Sequence, residues 1–170
     1  MIPKLLGAGL IIAACGGMGM ARAMAHRKQE KMLQQLISAL QAMSSELQYR
    51  LTPLPQLLQL GAAQCTGPLA QVFSDATRQM ESKSEPDGAS CLGLALNQAK
   101  ELPDALKDKL LLLGKSLGRF DLQGQLSGME AVLQLCKREL DGLYLNRDAR
   151  LRSYTTLGLC GGIALVILFI

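Results

Sequence analysis

Side chains able to do chemistry are few in this sequence and poorly spaced for it. The single histidine, His26, lies among Arg22, Arg27, Lys28 and Lys31, a cationic setting that repels a metal ion and suits a solvated basic face. Cys15, Cys65, Cys91, Cys136 and Cys160 stand far apart without a CxxC pair. Their odd number does not fit a disulfide framework, and they read as small apolar fillers in a reducing compartment. Glu81, Glu85, Asp87, Glu101, Asp104 and Asp108 fall in loops or beside lysines, the pattern of a solvated surface rather than of paired catalytic acids. No GxGxxG or P-loop spacing occurs, and the glycine-rich run 14–19 sits inside an apolar stretch. No catalytic residue, cofactor or metal ligand is therefore predicted, and the chain reads as a non-enzyme. The basic cluster at 22–31 has no interleaved aromatics and adjoins that apolar stretch, so anionic lipid headgroups, not nucleic acid, are its expected partners.

The elements around these residues are helical. Leu, Ala, Met, Gln, Glu, Lys and Arg fill the middle of the 170-residue chain, aromatics make up 4% of it, and the net charge is +4; this is the palette of an all-α fold. The mean hydropathy of +0.19 is high for a plain soluble domain, and the apolar excess lies at the two ends. Leu5–Ala21 and Ser153–Ile170 carry no charge, and the first would reach about 25 Å as a helix, the short limit of a bilayer span. Arg22, His26, Arg27, Lys28 and Lys31 follow the first stretch, and Arg147, Arg150 and Arg152 precede the second. The positive-inside rule then predicts a two-pass protein of the cell membrane: transmembrane helices at 1–21 and 153–170, and a cytoplasmic helical-bundle domain at 22–152. Gly9, Ala13 and Gly17, spaced by four, and the GxxxG step Gly158–Gly162 would let the two spans pack closely. Two rival readings place the domain outside. Ile12-Ala13-Ala14-Cys15 has the form of a lipoprotein box, and Ala23-Met24-Ala25 that of a signal-peptidase site. The alternative is thus a membrane-tethered coiled-coil scaffold or a lipoprotein with an external helical domain.

Within the middle domain about six helices are expected. Leu33, Leu36, Leu40, Met43 and Leu47 form one apolar seam on a helix running to about Tyr49. Short helices follow at about 54–64 and from Pro68, the latter burying Leu69, Val72, Phe73, Ala76 and Met80. A loop is expected at 82–90, then helices at about 91–100 and 103–117. Leu122, Leu126, Met129, Leu133, Cys136, Leu140 and Leu143 step by four and three, a heptad seam expected to pack against a partner helix.

Two breaks interrupt this pattern. In YRLTPLP, Pro53 and Pro55 bias Thr52 and Leu54 away from the α region, so the chain must turn, and the Thr52 hydroxyl is expected to cap the next helix. In LGRFDLQGQ, Gly118 suits a left-handed helix terminus and Asp121 the N-cap of the long last helix. Both turns are expected at the distal end of the domain, as one partner-facing region that includes Arg50 and Phe120.

The ordered set Glu46, Tyr49, Thr52, Pro53, Leu54 and Pro55, then Leu117, Gly118, Asp121 and Gln125, then Leu157, Gly158 and Gly162, resembles the stage III sporulation protein AB family over essentially the whole chain. Where that family usually has Gly after the Tyr and an acidic residue after TPLP, this chain has Arg50 and Gln56. The resemblance implies a structural or adaptor subunit of the channel complex joining mother cell and forespore. It implies a helical domain similar to the inner-membrane platform protein of type II secretion and type IV pilus machines. The implied partners are a cytoplasmic secretion-type ATPase and other channel-complex proteins, with a homo-oligomer among the assemblies open to it.

Overall fold

In the computed structural model the described backbone covers residues 2–82, 88–118 and 121–169, and the described side chains are those of 24, 27–82, 88–118 and 121–145. Among the described residues the chain forms α1 (Ile2–Arg50), α2 (Leu54–Ala63), α3 (Pro68–Glu81), α4 (Gly88–Gln98), α5 (Asp104–Ser116) and α6 (Leu122–Phe169). The fold is all-α, a six-helix bundle. Two compact units divide the chain: Lys31–Leu140, and a second that combines Met1–Glu30 with Asp141–Ile170. Among the described residues no helix is long and apolar enough to cross a membrane. The predicted spans 5–21 and 153–170, with Gly9, Ala13, Gly17, Gly158 and Gly162, lie outside the described side chains.

In the unit Lys31–Leu140, α1 turns its leucine seam inward. Leu33, Leu36, Leu40 and Met43 are fully buried and Leu47 nearly so, with Met32 and Ala39 widening the stripe; such breadth marks a helix facing a globular core. On α6 the buried stripe is Met129, Val132, Leu133 and Cys136. The expected seam extends further than this stripe: Leu126, Leu140 and Leu143 are half-buried and Leu122 is exposed, because there the helix runs past the core. The Ser44 hydroxyl donates to Met129 Sδ at 3.3 Å, joining α1 to α6.

α2 packs on α3, α3 on α4 and α4 on α5, each helix supplying one apolar face: Leu57 and Leu58, then Leu69, Val72, Phe73 and Ala76, then Cys91, Leu92 and Ala95, then Leu106, Leu110 and Leu113. Met80 is only half-buried, and Thr77 joins the inner face in its place, its hydroxyl donating to the Phe73 carbonyl at 2.9 Å so that no polar group is stranded. The 82–90 loop is shorter than expected, since Gly88, Ala89 and Ser90 already belong to α4. α5 and α6 approach so closely that a Cβ at Gly128 would collide with the Ser116 side chain, which makes glycine obligatory there. A half-buried ion pair, Lys109 with Glu139, ties the same helices further along. Cys65, Cys91 and Cys136 are buried and form no disulfide. Burial pushes the Cys65 thiol up to about 12 and that of Cys136 to about 11, Lys109 lowering and Glu139 raising the latter; both stay protonated and serve as filler.

Candidate partner-binding turns

α1 ends without a glycine. Leu51 takes the left-handed conformation, φ +52°, and its N–H donates back to the Leu47 carbonyl at 3.3 Å, the hydrogen bond of a left-handed helix terminus. A leucine there costs about 1 kcal/mol over glycine. Thr52 does not cap α2, contrary to the sequence reading. Pro53 occupies the N-cap position with no side-chain cap, and its carbonyl accepts from Leu57 N–H at 3.0 Å. The Thr52 hydroxyl instead donates to Glu46 Oε1 at 3.0 Å, and Arg50 Nη1 lies 3.5 Å from the same oxygen. Glu46 therefore gathers the last turn of α1 and the chain leaving it around one half-buried carboxylate, which is why Glu, Arg and Thr occur at this spacing.

The second turn matches its sequence reading. Gly118 has φ +77°, and Asp121 Oδ1 accepts from Gly124 N–H at 2.9 Å while its carbonyl accepts from Gln125 N–H at 3.0 Å, an N-cap on the exposed start of α6. Phe120 lies outside the described residues.

The two turns touch. A Cβ on Gly118 would stand 3.2 Å from Leu54 Cδ2, and one on Gly88 would stand 3.0 Å from the same carbon and 3.3 Å from the Leu117 carbonyl oxygen. Leu54 of TPLP is thus the shared floor beneath the α1–α2 and α5–α6 connections and the start of α4. Thr66, in the α2–α3 connection, lies elsewhere: it bonds to Gln35, its hydroxyl accepting from Nε2 at 2.7 Å and its N–H donating to Oε1 at 3.2 Å. Gln35 is about 22 Å back along α1 from Arg50, so α2 runs back beside α1. At the end of α1, Tyr49 is 79% and Leu51 65% exposed, and Arg50 is exposed. Pro53 and Asp121 are exposed as well, while Pro55 and Gln125 are half-buried. Sequence reasoning overlooked Leu51, since nothing in a leucine signals positive φ. Among the described residues no group of His, Cys, Asp and Glu could hold a metal ion.

Fold and site together define a helical-bundle protein whose distinguishing surface is a pair of joined turns. The chain belongs to the stage III sporulation protein AB family, whose model matches residues 4–170. It is similar to a solved structure of stage III sporulation protein AB (SpoIIIAB), with TM-score 0.64 and 22% sequence identity over 72% of this chain and 98% of that one, a likeness of fold. Comparison with curated proteins finds no match.

Proposed function

We propose that this chain is a non-enzymatic, membrane-anchored structural subunit of the sporulation channel complex between mother cell and forespore, a platform that links the membrane to a cytoplasmic secretion-type ATPase. The observation that carries this reading is the union of the two family motifs: Leu54 packs against Gly118, so TPLP and LG-x-x-D form one surface. Tyr49, exposed at the end of α1 just before TPLP, has a side chain that turn geometry does not require, and the Arg50 guanidinium stays largely in solvent beside its ion pair with Glu46. In this reading the ends 1–21, uncharged from Leu5 onward, and 153–170 cross the bilayer, and their basic flanks hold residues 22–152 on the cytoplasmic side.

A Tyr49→Ala, Arg50→Ala double variant tests the interface. It is expected to keep the wild-type helical content, to lose no more than about 0.5 kcal/mol of stability with the exposed Arg50–Glu46 pair, and to lose co-purification with the secretion-type ATPase. Undiminished co-purification would reduce the turns to architecture. Topology is checked separately, with reporters inserted in 82–90. A cytoplasmic signal with an uncleaved N-terminus is expected; a mature protein beginning at Cys15 or His26 would overturn the two-pass arrangement.

A further inference from the structure

The division of the chain into two compact units is also a division of charge. Lys31–Leu140 holds eleven Lys and Arg against eleven Asp and Glu and is neutral, whereas Met1–Glu30 with Asp141–Ile170 holds seven against three, the whole net +4 of the chain. Within that second unit the cations gather beside the uncharged stretches. Arg22, Arg27 and Lys28 follow one stretch and Arg147, Arg150 and Arg152 precede the other, with Asp148 the one acid among them; Glu30 and Asp141 stand farther from those stretches. α1 and α6 run unbroken through both segments, so each set of three cations spans about 9 Å or less along its helix. Arg27 and Lys28 are exposed.

Because both segments belong to one compact unit, folding gathers like charges, which repel one another. One aspartate cannot neutralise six cations, so the balancing charge comes from outside the chain. We infer that anionic phospholipid headgroups occupy this band, shared between α1 and α6, and that they hold the two helices together where these leave the bilayer. The inference rests on the membrane anchoring proposed above and adds to it a lipid class and a structural task for the lipid. A phosphodiester headgroup carries negative charge and accepts charge-assisted hydrogen bonds from Arg and Lys. Clusters of about four to eight basic residues beside a membrane helix gather such lipids. A bilayer presents that charge at a fixed depth next to the band, which dissolved anions do not.

Spin-label distances in the full chain test this. Cys15→Ala and Cys160→Ala leave only the buried native cysteines, and nitroxides are attached at Ala25→Cys on α1 and Asn146→Cys on α6. The chain is placed in nanodiscs of phosphatidylcholine, alone or with about one-third phosphatidylglycerol, and the anionic lipid is expected to make the distance distribution about half as wide. Replacing one flank, by Arg147→Gln, Arg150→Gln and Arg152→Gln together, removes the repulsion and is expected to give the narrow distribution in both lipids. Removing as many cations from the neutral unit, by Arg78→Gln, Lys100→Gln and Lys115→Gln, is expected to leave the wild-type dependence on phosphatidylglycerol. Inorganic phosphate added to phosphatidylcholine discs is expected to leave the distribution broad; narrowing by phosphate would overturn a lipid site. A flank variant that still needs phosphatidylglycerol also overturns the inference. Equal widths in the two lipids, for a wild-type chain that stays with vesicles through carbonate washing, overturn it while leaving the anchoring in place. A chain that carbonate strips from the vesicles overturns both.

Discussion

The turn that ends α1 and the turn that starts α6 perform one task with opposite chemistry. At 117–121 the strain of reversal is absorbed by residue type: glycine takes the positive φ, and an aspartate caps the new helix from its own first turn. At 49–55 residue type resists the conformation. A leucine takes the positive φ, a proline sits where a cap would be, and a carboxylate from the preceding helix ties the strands of the turn together. The turn at 117–121 is held by local preference, the turn at 49–55 by a side-chain network imposed on an unfavourable backbone. Backbone strain of this kind persists only where the surroundings over-determine it, and Leu51, 65% exposed, carries it at the end of α1.

This contrast is open to measurement by urea unfolding of the variants. The largest effect is expected at Gly118→Val, which forces a β-branched residue to positive φ and drives a side chain into Leu54; about 3 kcal/mol of stability should be lost. A loss below about 1 kcal/mol would mean that this turn, too, is held by its surroundings. Asp121→Ala removes the cap and is expected to cost about 1 kcal/mol. Thr52→Val and Glu46→Gln should each cost about 0.5–1 kcal/mol, and the double variant no more than the larger of them, since both break one network. Additive losses would separate Glu46 from Thr52. The smallest expected effect has the opposite sign. Leu51→Gly relieves the left-handed strain but adds freedom to the unfolded chain, for a net gain of about 0.5 kcal/mol. A loss there would show that the exposed Leu51 side chain supports the turn.

Legibility in the sequence follows the same division. Gly118 and Asp121 are readable because their reasons are local, a missing Cβ and a carboxylate three residues before the amide it accepts from. Thr52 is misread because two groups compete for its hydroxyl, and the winner, Glu46, comes within reach only after the chain has turned back. Leu33 to Leu47 are legible as a buried seam because a helix repeats its geometry. The fading of burial toward Leu122 on α6 is not, since it depends on where the other helices stop. Gly88, Ala89 and Ser90 resemble loop residues by composition, but they belong to α4, where Gly88 sits closely against Leu54 and the Leu117 carbonyl, a contact between segments far apart in the chain. The Leu54 floor is invisible for the same reason: it is a meeting of segments far apart in the chain.

The Ser44 to Met129 hydrogen bond, spanning 85 residues, has a consequence for the order of assembly. Neighbour-to-neighbour packing of α2, α3, α4 and α5 closes only short loops, so these helices gather cheaply, while joining α6 to α1 closes a loop around all of them and carries the larger entropic penalty. That closure is therefore the late, slow event of folding in free solution. A bilayer that held both ends of the chain close together would impose much of that penalty before the bundle forms, so the anchored protein should reach its native state faster than the same bundle released from its ends.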